Sequence, residues 1–196
     1  MNYLKDIFFI LASQSPRRIE FLNNLQLNFK SVKSTFKEEL QGQKDPVEYT
    51  LENAYFKASS LTEQFSEELI AGFDTIVLCD DQILGKPKNK EDAFEMLTNL
   101  SNKTHKVLTG FVLLNESKKF KVKKYVETFV TFKELTVEEI EWYIDTKEPY
   151  DKAGAYAIQG IGTFLVKSIN GSYSNVVGLP VAEFLEELRK YKENEY

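Results

Sequence analysis

The chain is poor in the residues that most often announce a function. It holds one cysteine and one histidine. A single cysteine excludes a disulfide framework within the chain, which suits a reducing compartment. A single histidine excludes a multi-histidine metal site, and no serine-histidine-acid arrangement is suggested around His105. No apolar run approaches the ~20 residues of a membrane-spanning helix. The N-terminus, Met1-Asn2-Tyr3-Leu4-Lys5-Asp6, lacks the basic, apolar, then small pattern of a secretory signal. Neither a GxxxxGK[ST] loop nor a GxGxxG turn after a strand is present. Excess positive charge is missing too: the formal net charge is −5. That argues against a nucleic-acid polymer as partner, because such binders carry a basic face. A mononucleotide, which needs only a few local cations, stays compatible. The expectation is a cytoplasmic protein with no membrane and no nucleic-acid polymer among its partners.

What is present suffices for a substantial core. The 196 residues are 42% hydrophobic and 28% charged, which fits one domain or two small lobes around a cleft. Strand-like and helix-like segments alternate, which points to an α/β architecture. The spacing predicts strands at 7–12, 69–79 (interrupted near Gly72 and Asp74-Thr75), 105–114, 121–132 and 164–169, with a possible strand near Phe29–Val32. It predicts helices at 16–26, from Asp45-Pro46 through Phe65, at 89–100, from a capping box at Thr136 to Asp145, and at 181–191. Residues 146–162 hold three glycines and no clear period, and a loop of that length is usually functional or disordered.

The most informative stretch is Leu11-Ala12-Ser13-Gln14-Ser15-Pro16-Arg17-Arg18, between the first strand and the first helix. Proline stands where the first helical position falls, and two arginines fill the first turn. Free N–H groups and the helix dipole attract anions there, and guanidinium matches phosphate oxygens. Ser before Pro is equally an ordinary helix cap. Cations at a helix N-terminus oppose the dipole, however, so two of them need a reason.

Further along, Asp74 lies within the apolar run Ile70–Leu78, where an uncompensated carboxylate is costly. A metal, a cation or hydrogen bonds could compensate it, as could backbone N–H groups at a strand kink. Lys86 lies in Gly85-Lys86-Pro87, as a ligand contact or a surface turn lysine. Lys57 lies at the edge of a helical apolar stripe, a usual place for a snorkelling side chain. Glu38-Glu39 reads as a solvated pair, and Cys79 and His105 read as structural.

Taken together, the chain resembles the Maf family of nucleoside triphosphate pyrophosphatases, also described as septum-formation inhibitors, over nearly its whole length. The anchors, in order, are Leu11–Arg18; Glu38 upstream of Lys57-Ala58; Gly72-Phe73-Asp74-Thr75; Gly85-Lys86-Pro87; Met96-Leu97 through Ser101 and His105-Lys106-Val107; Asp151–Gly160; and Gly171-Ser172-Tyr173 through Gly178-Leu179-Pro180. The resemblance implies one Maf-like domain over 1–196, with a mixed twisted sheet flanked by helices (Maf/ITPase-like) and two lobes around a cleft. It implies hydrolysis of a nucleoside triphosphate to monophosphate and pyrophosphate with a divalent cation, Mg²⁺ or Mn²⁺, and a homodimer.

Carried over by position, Asp74 is the implied proton acceptor for the attacking water, and Glu38 the second catalytic carboxylate, with Glu39 adjacent should the register slip by one. Both carboxylates are implied metal ligands. Ser13, Arg18, Lys57 and Lys86 are the implied phosphate contacts, and Lys57 and Lys86 belong to the catalytic set. Arg17, Thr75 and Gln159 are the implied substrate selectors. Ser-Pro-Arg-Arg, Asp-Thr and Asp-Lys-Ala-Gly-Ala-Tyr-Ala-Ile-Gln-Gly are similar to the branch acting on dTTP and UTP. The 7-methyl-GTP branch carries an extra residue before the arginines and lacks Gln at 159. Departures from the family pattern are Phe73, Asn102 and Ala157, and Phe73 is expected to reshape the pocket. Two rival readings are a non-enzymatic nucleotide-binding protein of cell division and a pyrophosphatase for a modified guanine nucleotide.

Overall fold

The computed structural model describes residues 4–37 and 45–193. In chain order these form β1 (Phe8–Leu11), α1 (Pro16–Asn24), β2 (Asn28–Ser31), α2 (Pro46–Ser59), β3 (Leu69–Cys79) and β4 (Gln82–Leu84). There follow α3 (Lys90–Leu100), β5 (Thr104–Asn115), β6 (Phe120–Phe132), α4 (Val137–Asp145), β7 (Val166–Asn170), α5 (Tyr173–Val176) and α6 (Val181–Glu193). The strands pair in the order β2–β1–β3–β5–β6–β7, with β4 on β3. The sheet is mixed: β1 is parallel to β2 and β3, whereas β3/β4 and β6/β7 are antiparallel. This is the expected α/β architecture of a mixed sheet flanked by helices. Among the described residues no helix is long and apolar enough to cross a membrane.

Local chemistry fixes the helix starts. The Asp45 side chain accepts from the Val47 and Glu48 N–H groups, each at 3.0 Å, with Pro46 opening α2. Thr136 and Glu139 form a reciprocal capping box at α4, as its sequence predicts. Helix α2 stops at Ser59, short of Phe65. The chain continues in turns such as Leu61 N–H to Ala58 O at 3.1 Å, which still bury Leu61 and pack Phe65 on the core.

By its contacts the chain divides into two compact units. The first holds residues up to Asp74, Thr109–Val126 and Gly178 onward. Its strands alternate strictly, as the period of two requires. Phe9, Leu11, Leu69, Ala71, Phe73, Phe111 and Leu113 share one core with Leu22 of α1 and with Phe184 and Leu188 of α6. Ile10, Ala12, Ile70, Val112 and Leu114 share another with Ala54 and Ala58 of α2. Even-numbered positions of β3 in this unit therefore face α2, and Asp74 is one of them. Gly72 and Gly110 face it as well. A Cβ at Gly72 would stand 2.1 Å from the Ala54 carbonyl oxygen, and one at Gly110 would stand 3.0 Å from Thr50 backbone. Only missing side chains let α2 approach so closely. Gly72 therefore seats a helix and does not break the strand, and β3 runs on where the sequence suggested an interruption.

The second unit comprises Thr75–Leu108 and Glu127–Val177. Asp80 and Asp81, both at positive φ (48° and 62°), turn β3 back into β4 in the manner of a tight hairpin. Its core gathers Val77, Leu97, Val130, Phe132, Ile140, Tyr143 and Tyr156. His105 is buried there. Its Nε2 lies 2.7 Å from the Tyr156 hydroxyl, and its ring stands edge-on to Phe132. Burial pushes the His105 pKa down to about 4. The segment after α4 is not an open loop. It winds through short 3₁₀ turns at Glu148–Asp151, Ala153–Ala155 and Gly160–Leu165.

Candidate active site

In the first unit, the junction between β1 and α1 is tied down by its own backbone and hydroxyls. Ala12 N–H donates to Ala71 O (2.9 Å), and Ser13 and Val32 N–H both donate to Leu11 O (2.8 and 2.9 Å). The Ser31 hydroxyl donates to Ser13 O at 2.7 Å. Ser15, at the N-cap of α1, makes no side-chain cap; its N–H instead donates to Ser13 Oγ at 3.2 Å. No acidic residue offsets the positive end of this helix.

Arg18 is buried, and its guanidinium is held on three sides. Nε donates to Gly178 O at 2.7 Å; Nη1 donates to Ser13 Oγ at 3.2 Å and lies 3.4 Å from Phe73 O. The guanidinium also stacks 5.4 Å from the Phe73 ring centroid. A permanent cation is thus fixed beside the junction, while Arg17, half-buried, follows Pro16 in the same turn. Phe73, a departure from the family pattern, has its ring fully buried between Phe111 and Phe184, where it supports Arg18 from beneath.

Asp74 is compensated by side chains. It is 5% exposed, and its Oδ1 lies 2.6 Å from Lys57 Nζ. Oδ2 accepts from Asn53 Nδ2 at 3.2 Å. Lys57 Nζ also lies 3.4 Å from Phe73 O. Lys57 is accordingly not a snorkelling side chain: its side chain is 13% exposed and points inward to the carboxylate. Asn53 and Lys57 are four residues apart on α2 and so share a face. Asn53 was not singled out from the sequence; the i, i+4 relation to Lys57 was the available signal.

The second unit carries the remaining predicted positions. Thr75 follows Asp74 directly on β3 and is half-buried. Lys86 is exposed, between Gly85, whose carbonyl accepts from Gly154 N–H at 3.0 Å, and the buried Pro87. Gln159 is half-buried at the start of the Gly160–Leu165 turn. Ser13, Arg18, Phe73, Lys57 and Asp74 are thus connected to one another within the first unit, whereas Thr75, Lys86 and Gln159 belong to the second. Glu38 and Glu39 lie outside the described residues.

The donor chemistry at Asp74 fits a hard divalent cation, because carboxylate oxygens are the ligands Mg²⁺ and Mn²⁺ prefer. Among the described residues no group of three or more His, Cys, Asp or Glu could hold a metal. Of the two carboxylates that the resemblance implies as ligands, Asp74 and Glu38, only Asp74 lies among the described residues, and substrate phosphates would supply further oxygens, a frequent mode for Mg²⁺.

A family model described as Maf-like protein matches residues 8–191. A Thermoanaerobacter sp. (strain X514) protein named dTTP/UTP pyrophosphatase is 46% identical over 183 residues, covering 92% of this chain and 95% of its own. Proteins of the same name from Fusobacterium nucleatum (45% identical, 92% and 94% covered) and Bacillus cytotoxicus (48%, 93% and 95%) are similar to it as well. The solved structure of the Staphylococcus aureus Ham1 protein matches with a TM-score of 0.53 at 12% identity, covering 96% of this chain and 100% of that one, which speaks to the fold alone. A family model spanning nearly the whole chain, together with relatives at this identity, establishes that the chain belongs to the Maf family.

Proposed function

We propose that this chain is a nucleoside triphosphate pyrophosphatase acting on dTTP and UTP. Water attacks the α-phosphorus, the bond from that phosphorus to the oxygen bridging the α- and β-phosphates breaks, and nucleoside monophosphate and pyrophosphate leave. The observation that carries this reading is the buried carboxylate of Asp74, fastened by Lys57 and Asn53 in the unit that also holds Arg18 and the α1 N-terminus. Simple binding of an anion needs cations alone. A fixed carboxylate beside phosphate-binding groups serves to take a proton from water. The names of the relatives supply the substrate.

In this reading Asp74 accepts the proton of the attacking water, and Lys57 orients that carboxylate and offers positive charge to the phosphates. Ser13, Arg18 and Lys86 take phosphate oxygens, and charge placed where negative charge develops lowers the barrier. Glu38 is the second carboxylate. A divalent cation, when bound, spreads the charge of the triphosphate. Arg17, Thr75 and Gln159 select the base. The Gln159 amide offers one donor and one acceptor, which match N3–H and O4 of uracil or thymine. The chain works as one Maf-like domain over 1–196, in the cytoplasm and as a homodimer, and removes unwanted nucleotides, including 5-modified pyrimidine nucleotides, from the pool.

The test is pyrophosphate release from a panel of nucleoside triphosphates with Mg²⁺ or Mn²⁺, wild type against Asp74→Asn. Turnover of dTTP and UTP that falls at least about a thousandfold in the variant is expected. Turnover of a modified guanine nucleotide in their place would reject the base assignment, and nucleotide binding with no turnover would favour a regulator of division.

A further inference from the structure

In the second unit, Glu148 stands at the centre of a knot of hydrogen bonds that the proposed chemistry does not use. Its Oε1 accepts from the Tyr143 hydroxyl at 2.8 Å and from Gly162 N–H at 2.9 Å. Its Oε2 accepts from Ile161 N–H at 3.2 Å. The Tyr143 oxygen in turn accepts from Ala157 N–H at 3.1 Å. The Thr163 hydroxyl closes the other side, contacting Ile158 O at 3.0 Å and Gly160 O at 2.9 Å. The chain is also wrapped tightly here. Gly160 has φ +67°, and a Cβ on it would stand 2.8 Å from Glu148 Oε2; a Cβ on Gly162 would stand 2.5 Å from the Tyr143 hydroxyl oxygen. The backbone on both sides of Gln159 is therefore pinned, at 157–158 and at 160–162, to one carboxylate and two hydroxyls.

We propose that Glu148 is the positioning residue for base selection: through Tyr143 and the Ile161 and Gly162 amides it holds the 157–162 segment so that Gln159 meets a uracil-type edge and rejects a cytosine-type edge. This rests on the assignment of Gln159 as base reader. The physical need is specific. Uracil presents N3–H and O4, whereas cytosine presents N3 and an N4 amino group, the reverse pattern. A glutamine amide on a mobile backbone can shift and rotate to serve either edge. Rotation of the amide alone exchanges donor and acceptor, so discrimination needs a backbone position from which only one of the two orientations reaches the base, and that position must be held. A carboxylate accepting two backbone N–H groups and a phenol makes charge-assisted bonds, stronger than a neutral turn would provide. Lys152, whose ammonium donates to Glu148 O at 2.8 Å, steadies the same turn from its other end.

The experiment compares kcat and KM for UTP and CTP in wild type, Gln159→Ala, Glu148→Gln and Glu148→Ala, with amide hydrogen exchange read at Ile161 and Gly162. Gln159→Ala is expected to lose the preference for UTP. The Glu148 variants are expected to lower the UTP-to-CTP ratio of kcat/KM about tenfold or more, mainly through KM, with faster exchange at both amides. A merely structural role would lower both nucleotides alike and leave the ratio unchanged. Should Glu148→Ala not fold, Glu148→Gln, which keeps the shape and one acceptor oxygen, carries the comparison. A ratio retained in Gln159→Ala overturns the base reader and this proposal with it. A ratio lost in Gln159→Ala but retained in the Glu148 variants overturns this proposal alone. Unchanged exchange at Ile161 and Gly162 overturns the clamp.

Discussion

The neighbourhoods of Asp74 and of Gln159 are both ordered, but by different means. Around Asp74, side chain meets side chain: Lys57 and Asn53 reach the carboxylate from a regular helix lying over a regular strand. Around Gln159, side chain meets backbone: Glu148, Tyr143 and Thr163 gather the N–H and C=O groups of an irregular segment. The first arrangement can be damaged one residue at a time and fails through charge. The second gathers three of its bonds on the Glu148 carboxylate and is expected to fail there, but only to loosen when a neutral hydroxyl such as that of Thr163 is removed.

The sharpest way to test that contrast is to remove Lys57. Lys57→Met keeps the stem but leaves the Asp74 carboxylate, 5% exposed, without its cation. Breaking a buried pair from one side costs about 3–5 kcal/mol, because the remaining charge stays desolvated. A loss of activity of roughly a hundredfold or more is expected alongside a lowered urea midpoint. Gly72→Ala acts on the same place without touching a charge. Its methyl would stand 2.1 Å from Ala54 O, so α2 must move and carry Lys57 and Asn53 with it. Overpacking of this kind costs about 1–3 kcal/mol. The expected signature is a fall in kcat for every nucleotide by a similar factor. Wild-type kinetics in this variant would show that the closeness of α2 does not matter.

How much of each neighbourhood was legible in the sequence follows from the same difference. Ser13, Arg18, Lys57 and Asp74 stand on or beside regular elements. Period and spacing place them on those elements, while their roles come from the family resemblance; parity along β3 puts Asp74 on the α2 side only because the strand runs unbroken through Gly72, where the sequence suggests an interruption. Lys57 was still misread from local pattern, because an edge lysine on an apolar stripe looks the same whether it reaches solvent or a buried carboxylate on a distant strand. The surroundings of the Phe73 ring are not legible locally for a related reason: both faces of β3 are apolar, and the helices that cover them lie far away in sequence. The 146–162 segment showed three glycines and no period, which marked it as unusual but could not reveal that Glu148 would hold it. Hydrogen bonds to backbone leave little trace in side-chain pattern.

The second unit has its own buried titratable group, and it gives a smaller, pH-dependent effect. The His105 pKa is pushed down to about 4 by burial, from an unfolded value near 6.5. Between those values the unfolded chain binds more protons than the folded one. The contribution is therefore fully present above pH 6.5 and is lost as pH falls toward 4, by up to about 3 kcal/mol. Trp142, the only tryptophan, lies on α4 of this unit, so its fluorescence follows this unit's unfolding directly. Urea midpoints by that signal should fall from pH 7 to pH 5 in wild type and fall less steeply in His105→Asn. Equal slopes would assign the acid sensitivity to other groups.

The mildest perturbation probes the shared hold on the Gln159 segment. Thr163→Val keeps the shape of the side chain but deletes the hydroxyl that contacts Ile158 O and Gly160 O. One such bond contributes about 1 kcal/mol, and a carbonyl left near the surface recovers part of that from water. Because the Glu148 and Tyr143 bonds remain, the expected result is a urea midpoint lowered by that small amount and a UTP preference changed by less than about fivefold, since one lost bond of about 1 kcal/mol bounds the shift. A loss of preference as large as that expected for Glu148→Ala would mean that the neutral Thr163 hydroxyl matters as much as the Glu148 carboxylate. The contrast between bonds that fail through charge and bonds that only loosen would then disappear.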